Sequence, residues 1–130
     1  MPWTTSYLPD LDVVLTVYAG VIAPADLQKA AATTLNLARE HNTRRLLGDC
    51  STLEGGHSIV DLYGLGQLLE SMPSAAGIHE ALVMPQLSAA ARDVHFWETT
   101  CRNRGIDVRV FRTMEEAREW LLQLKAPAKA

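Results

Sequence analysis

The chain is poor in the residues that announce a chemistry. Among 130 residues there are two cysteines, Cys50 and Cys101, and they form no CxxC pair. That excludes a thioredoxin-like motif and the short zinc-binding spacings. It leaves free thiols in a reducing cytoplasm as the expectation. The four histidines, His41, His57, His79 and His95, show neither HxH nor HxxxH spacing, so neither a metal nor a cofactor is expected. There is no excess of positive charge. The formal net charge is -3, which gives no electrostatic footprint for nucleic acid. No apolar run approaches membrane-spanning length. Met1-Pro2-Trp3 leads into polar residues, not into the basic and then apolar run of a secretory signal.

What is present is an ordinary globular composition, 48% hydrophobic and 21% charged, long enough for one domain with a real core. The most legible stretch is the last third. Gly105 can take the left-handed conformation that closes a helix. Ile106, Val108 and Val110 alternate with Asp107 and Arg109, as in a strand. Thr113 then caps a helix, with Glu116 completing a capping box, and Ala117, Trp120, Leu121 and Leu124 share one helical face.

Upstream, residues 4–8 and 13–18 read as strands joined by the turn Pro9-Asp10-Leu11-Asp12, the second ending at Gly20. Pro24 suits a first helical turn, and Leu27, Ala30, Ala31, Thr34, Leu35 and Ala38 carry that helix to about His41. Residues 46–50 form a short buried strand, followed by a Gly55-Gly56 loop. Ser58, with Asp61 three residues on, caps a second helix that stops before Pro73. A strand over 81–84 and a third helix over 87–104 follow. The order β-β-α-β-α-β-α-β-α predicts an α/β domain over 1–124. Its sheet is about five-stranded, mixed but mostly parallel, with the first strand antiparallel at an edge and four helices covering it. Residues 125–130 read as a C-terminal tail.

Three blocks carry a resemblance: Asp12-Val-Val-Leu-Thr-Val-Tyr-Ala-Gly20 before a Pro-started helix, Leu46-Leu-Gly-Asp-Cys50 before a loop and helix, and Arg102-Asn-Arg-Gly-Ile-Asp-Val-Arg-Val-Phe111 with Glu115-Glu-Ala-Arg-Glu-Trp-Leu121. Over roughly residues 13–121 the chain resembles the SpoIIAA-like family of the STAS-type fold group. The resemblance implies a β-α superhelical domain that works by binding. Relatives in the group serve as anti-sigma factor antagonists, as modules on anion transporters, or as small free-standing proteins for which lipophilic ligands or membrane attachment are plausible roles. The antagonist branch carries an Asp-Ser-Ser-Gly-like motif where a serine is phosphorylated. Here the matching stretch is Gly56-His57-Ser58-Ile59, in which only Ser58 could stand for that serine.

The second and third helices hold the candidate binding residues. At about 100° per residue, Leu62, Leu65, Leu69 and Met72 face the core, while Val60, Gly64, Gln67 and Ser71 face away with Leu68 at the margin. An ordinary solvent face carries Lys and Glu. Gly64 and Gly66 each cost a helix interior about 1 kcal/mol against Ala, which suggests close approach by a partner helix, a ligand, a second subunit or the chain's own fold. In the third helix Leu87, Ala90, Val94, Trp97 and Cys101 form one face, and Phe96 projects from the other side near Ala89 and Thr100 as an anchor candidate.

Other candidates have plainer readings beside them. Asp49 at a strand end invites a ligand role, or satisfies the N–H groups around Ser51 and Thr52. A phosphate on Ser58 would meet a helix N-terminus, and the same serine serves as a cap. Ser58, His57 and Asp49 could be drawn as a triad, but no Gly-x-Ser-x-Gly elbow supports it. Gly64-Leu-Gly66 lacks the third glycine of a dinucleotide fingerprint. Arg102 and Arg104 suit a helix C-terminus. With Arg109 and Arg112 they form a local basic cluster that could also meet an anionic lipid headgroup.

The expectation is a non-enzymatic binding module. It takes a protein partner or a small lipophilic ligand through Val60, Tyr63, Gly64, Leu68, Phe96 and Trp97, with Gly55-Gly56 as a hinge. No nucleic acid is expected; a homodimer and peripheral membrane contact are. An anti-sigma-antagonist-like phospho-switch at Ser58, or a small enzyme of unknown class, are the alternatives.

Overall fold

The computed structural model describes residues 2–124, without the Ser74 side chain, so the expected tail at 125–130 lies outside the described residues. The elements run β1 (Trp3–Leu8), β2 (Val13–Val21), α1 (Pro24–Glu40), β3 (Arg45–Gly55), α2 (Ile59–Glu70), a single 3-10 turn (Pro73–Ala75), β4 (His79–Val83), α3 (Ser88–Asn103), β5 (Asp107–Phe111) and α4 (Met114–Gln123). The five strands lie in the order β1-β2-β3-β4-β5. β1 is antiparallel to β2, and the remaining neighbours are parallel. The α/β class, the mixed sheet, the antiparallel edge and the four helices all agree with the sequence reading.

This strand order decides where the helices go. Each parallel crossover steps one place in the same direction, and right-handed connections then put every crossover helix on one face. Side-chain alternation follows suit. Val14, Leu46, Leu82 and Val108 pack in one cluster with Leu35 of α1, Leu69 of α2, and Val94 and Cys101 of α3. Val13, Leu47, Ala81 and Val83 pack on the other face with Ala117 and Leu121 of α4. The sheet thus carries two cores, one under α1–α3 and a smaller one under α4.

β4 begins at His79, two residues before the strand expected over 81–84, and two strand ends differ further. β2 continues through Gly20, whose φ is 68°, to Val21. β3 runs to Gly55 where a strand ending at residue 50 was expected. The extensions pair with each other, Ala19 with Thr52, Gly20 with Leu53 and Val21 with Gly55, across register shifts that absorb extra residues. Asp49 is therefore a mid-strand residue. Gly56, at φ 104°, is packed against the chain: a Cβ there would lie 2.7 Å from both the nitrogen and the oxygen of Ile22. The Ile22 N–H donates to the Gly55 carbonyl at 2.7 Å. The glycine pair expected as a hinge is thus tied to the end of β2.

At the opposite end of the sheet, Arg45 joins distant parts of the chain. Its guanidinium donates to the Leu11 carbonyl in the β1–β2 turn at 3.2 Å and to the Leu124 carbonyl after α4 at 2.8 Å.

Candidate functional site

The helix-covered face is not filled. A cavity of about 70 Å³ lies between the sheet and α1–α3, walled by Leu27 of α1, Leu53 of β3, Leu62 and Leu65 of α2, Leu82 of β4 and Val94 of α3. The helical residues reach it because their apolar stripes face the sheet. Leu62, Leu65 and Leu69 recur on one side of α2, and Ala90, Val94 and Cys101 on one side of α3; all are buried. A space of this size exceeds what one water needs.

Polar groups enter the cavity from the sheet and from α3. Tyr18 of β2, Cys50 of β3, Glu80 of β4, and Asp93 and Trp97 of α3 line it, with His57 from the β3–α2 loop. The Trp97 indole N–H donates to Glu80 Oε1 at 3.1 Å. Glu80 Oε2 has no hydrogen-bond partner among the described residues. Burial pushes the Glu80 carboxyl above its ordinary value, and the Trp97 hydrogen bond opposes that only in part. The Tyr18 hydroxyl is held well above the ordinary tyrosine value by burial first, then by the Glu80 charge. Burial likewise raises the Cys50 and Cys101 thiols, which keeps both protonated and poorly nucleophilic. His57 is engaged elsewhere through Nδ1, 3.1 Å from the Ile22 carbonyl.

Of the six residues expected to bind a ligand or partner, Val60, Tyr63, Gly64, Leu68, Phe96 and Trp97, only Trp97 lines this cavity. Val60 and Gly64 line a second groove between α1 and α2, together with Pro24 and Gln28; Leu27 and Leu65 border both spaces. Val60 is 78% exposed. With Ile59, Tyr63 and Leu68, all also exposed, it makes an apolar outer strip on α2. Tyr63 lies under the Arg104 guanidinium, 4.7 Å from the ring centre, and Arg104 also pairs with Glu70 at 3.0 Å. Phe96 is half-buried rather than projecting free, and belongs neither to the cavity wall nor to either core cluster. Leu87, expected on the core face of α3, is exposed at its N-cap, one position before the helix turns inward.

The two helical glycines differ. Around Gly64 a Cβ would meet nothing within 4 Å, so no close approach accounts for it. At Gly66 a Cβ would lie 3.2 Å from Arg104 Nε and 3.5 Å from Thr100 Cγ2. The close approach read from the sequence is thus α3 of the same chain, at Gly66.

Ser58 caps α2. It accepts the Asp61 N–H at 3.1 Å, while its own N–H donates to Asp61 Oδ2 at 2.7 Å. These bonds hold the Asp61 carboxyl below its ordinary value. Asp49 accepts both the N–H and the hydroxyl of Ser51, at 3.0 and 2.7 Å. Ser58, His57 and Asp49 therefore each have other partners, and no triad forms among them. Arg102 sits in the last turn of α3 and Arg104 at its C-cap, which suits the helix dipole. Arg109 stacks over Trp120 and pairs with Asp107. Among the described residues no cluster of His, Cys, Asp and Glu could hold a metal ion, and no helix is long and apolar enough to cross a membrane.

Glu80 and Tyr18 were not singled out in the sequence. Glu80 precedes the apolar run Ala81-Leu82-Val83 and reads there as a loop residue; only its alternation with Leu82 could have placed it on the strand's helix-covered face. No family model, curated protein or solved structure matches the chain.

Proposed function

We propose that this protein is a non-enzymatic binding module that holds a small lipophilic ligand between its sheet and its second and third helices. The observation that carries the reading is the largely aliphatic cavity beneath α2 and α3, with Trp97 in its wall and a few polar groups from the sheet, α3 and the β3–α2 loop. Apolar walls with sparse, placed polar groups are what ligand sites share. Burial of ligand surface there would supply about 25 cal/mol per Å² before ordering costs. The absence of an activated nucleophile in the cavity supports binding over catalysis: its thiol is buried and protonated. Two free, buried cysteines support a reducing cytoplasmic setting. The one-directional strand order, with α1–α3 on one face, supports kinship with the SpoIIAA-like group.

The test is native mass spectrometry of the purified protein, followed by denaturing extraction. An added mass that leaves on denaturation is expected. A clean mass, joined by no uptake of apolar probe molecules, would overturn the reading.

A second reading rests on the outer strip Ile59, Val60, Tyr63 and Leu68. Exposed apolar residues grouped on one helix suit a protein partner, and a second copy of this chain is the simplest. Leu68→Glu would then shift a dimer to monomer in analytical ultracentrifugation, while leaving ligand uptake in the inner cavity unchanged.

A further inference from the structure

The polar side of the cavity has a definite character. Across the helix-covered face, the strand register aligns Val14 with Leu46, Leu46 with Glu80, and Glu80 with Val108. Three members of that row are buried aliphatic residues, and the fourth is a carboxylate. Glu80 is half-buried, and a carboxylate partly withdrawn from water gains from a paired positive charge. Trp97 satisfies one oxygen, and the other has no partner among the described residues. The Tyr18 hydroxyl, in the same wall, has no hydrogen-bond partner among the described residues either. Asp93 adds a second carboxylate to the lining, and no Lys or Arg joins it. The cavity thus combines aliphatic walls with acceptor groups and two carboxylates; its one basic side chain, His57, is engaged through Nδ1 with the Ile22 carbonyl.

We propose that the ligand is an apolar molecule bearing a cationic amine, with the ammonium donating to Glu80 Oε2 and to the Tyr18 hydroxyl oxygen. This rests on the reading of the cavity as a ligand site. An ammonium supplies both the missing donor and the compensating charge. An alcohol supplies a donor alone. A carboxylate, as on a fatty acid, would place like charges together in a low-dielectric space.

The test compares hexylamine, 1-hexanol and hexanoate, which share a chain and differ in head group, by isothermal titration calorimetry near neutral pH. Hexylamine is expected to bind at least about ten-fold tighter than hexanoate. In Glu80→Gln the advantage of the amine over the alcohol should fall by at least about five-fold, because Gln can still accept from Trp97 but carries no charge, and only the Asp93 carboxylate then remains in the lining. Hexanoate binding as tightly as hexylamine would overturn the inference while leaving the ligand cavity standing. Binding of none of the three would overturn both. An amine preference undiminished in Glu80→Gln would remove Glu80 from the role. The ranking in the unmutated protein decides the charge of the head group whatever the variant's fold.

Discussion

Gly64→Ala isolates a term that the structure makes simple. Gly64 lies in the interior of α2, is exposed, and leaves open space where a Cβ would be added. The substitution therefore gains helix propensity and loses no contact. The propensity difference is about 0.8–1.0 kcal/mol in favour of Ala. For a chain of this length that corresponds to a rise in Tm of about 4 °C. Urea titration followed by circular dichroism would read it as a higher midpoint with an unchanged slope. Gly66→Ala is the internal control. It gains the same propensity, but its Cβ would press on Arg104 Nε at 3.2 Å, disturbing the side chain that pairs with Glu70 and covers Tyr63. Its net effect should fall below that of Gly64→Ala. A Gly64→Ala variant no more stable than the parent would refute the reasoning, because it would mean that something occupies the space beside Gly64.

Four further outcomes follow from the same packing. Glu80→Gln should be more stable than the parent at neutral pH, with the difference shrinking on acidification. A carboxyl whose folded pKa is raised by burial favours folding below its unfolded value of about 4.3, and that stability is lost as pH rises through the folded value. Equal differences at about pH 4 and at neutral pH in urea titrations would contradict this. Ser58→Ala should cost about 1 kcal/mol by loss of the cap, read as a lower urea midpoint. A phosphate on Ser58 would sit beside the Asp61 carboxylate it now bonds, so phosphorylation should fray the start of α2, measurable as faster amide exchange there. Leu121→Ala should cost about 2–5 kcal/mol, because Leu121 is fully buried in the small core under α4; a thermal melt near the parent's would show that α4 adds little.

The helices were legible because each signals its own burial. The period that groups Leu62, Leu65 and Leu69, or Ala117 and Leu121, is local, and the caps at Ser58 and Thr113 stand where the chain needs them. The ends of the strands were not legible. Ser51-Thr52-Leu53-Glu54-Gly55 is too polar to look like a buried parallel strand. It becomes a parallel strand, with Leu53 alone buried, by pairing with Ala19–Val21, which lies far away in sequence. The cavity was hidden for the same reason. Helical wheels separate the two sides of α2 and α3, yet they do not say which side encloses a space. That depends on the register setting Glu80 between Leu46 and Val108, and on β2 carrying Tyr18 to the same wall. The apolar outer face of α2 gave the stronger sequence signal. It drew attention to Val60 and Leu68, which point away from the cavity wall.

The location of binding is the most direct test of the account. Methyl and indole resonances can be followed by NMR during titration with hexylamine. The account predicts shifts at Leu62, Leu65, Leu82 and Val94 and at the Trp97 indole N–H, which loses or changes its bond to Glu80. Shifts confined to Val60, Tyr63 and Leu68 on the outer strip, with the cavity resonances unmoved, would contradict it.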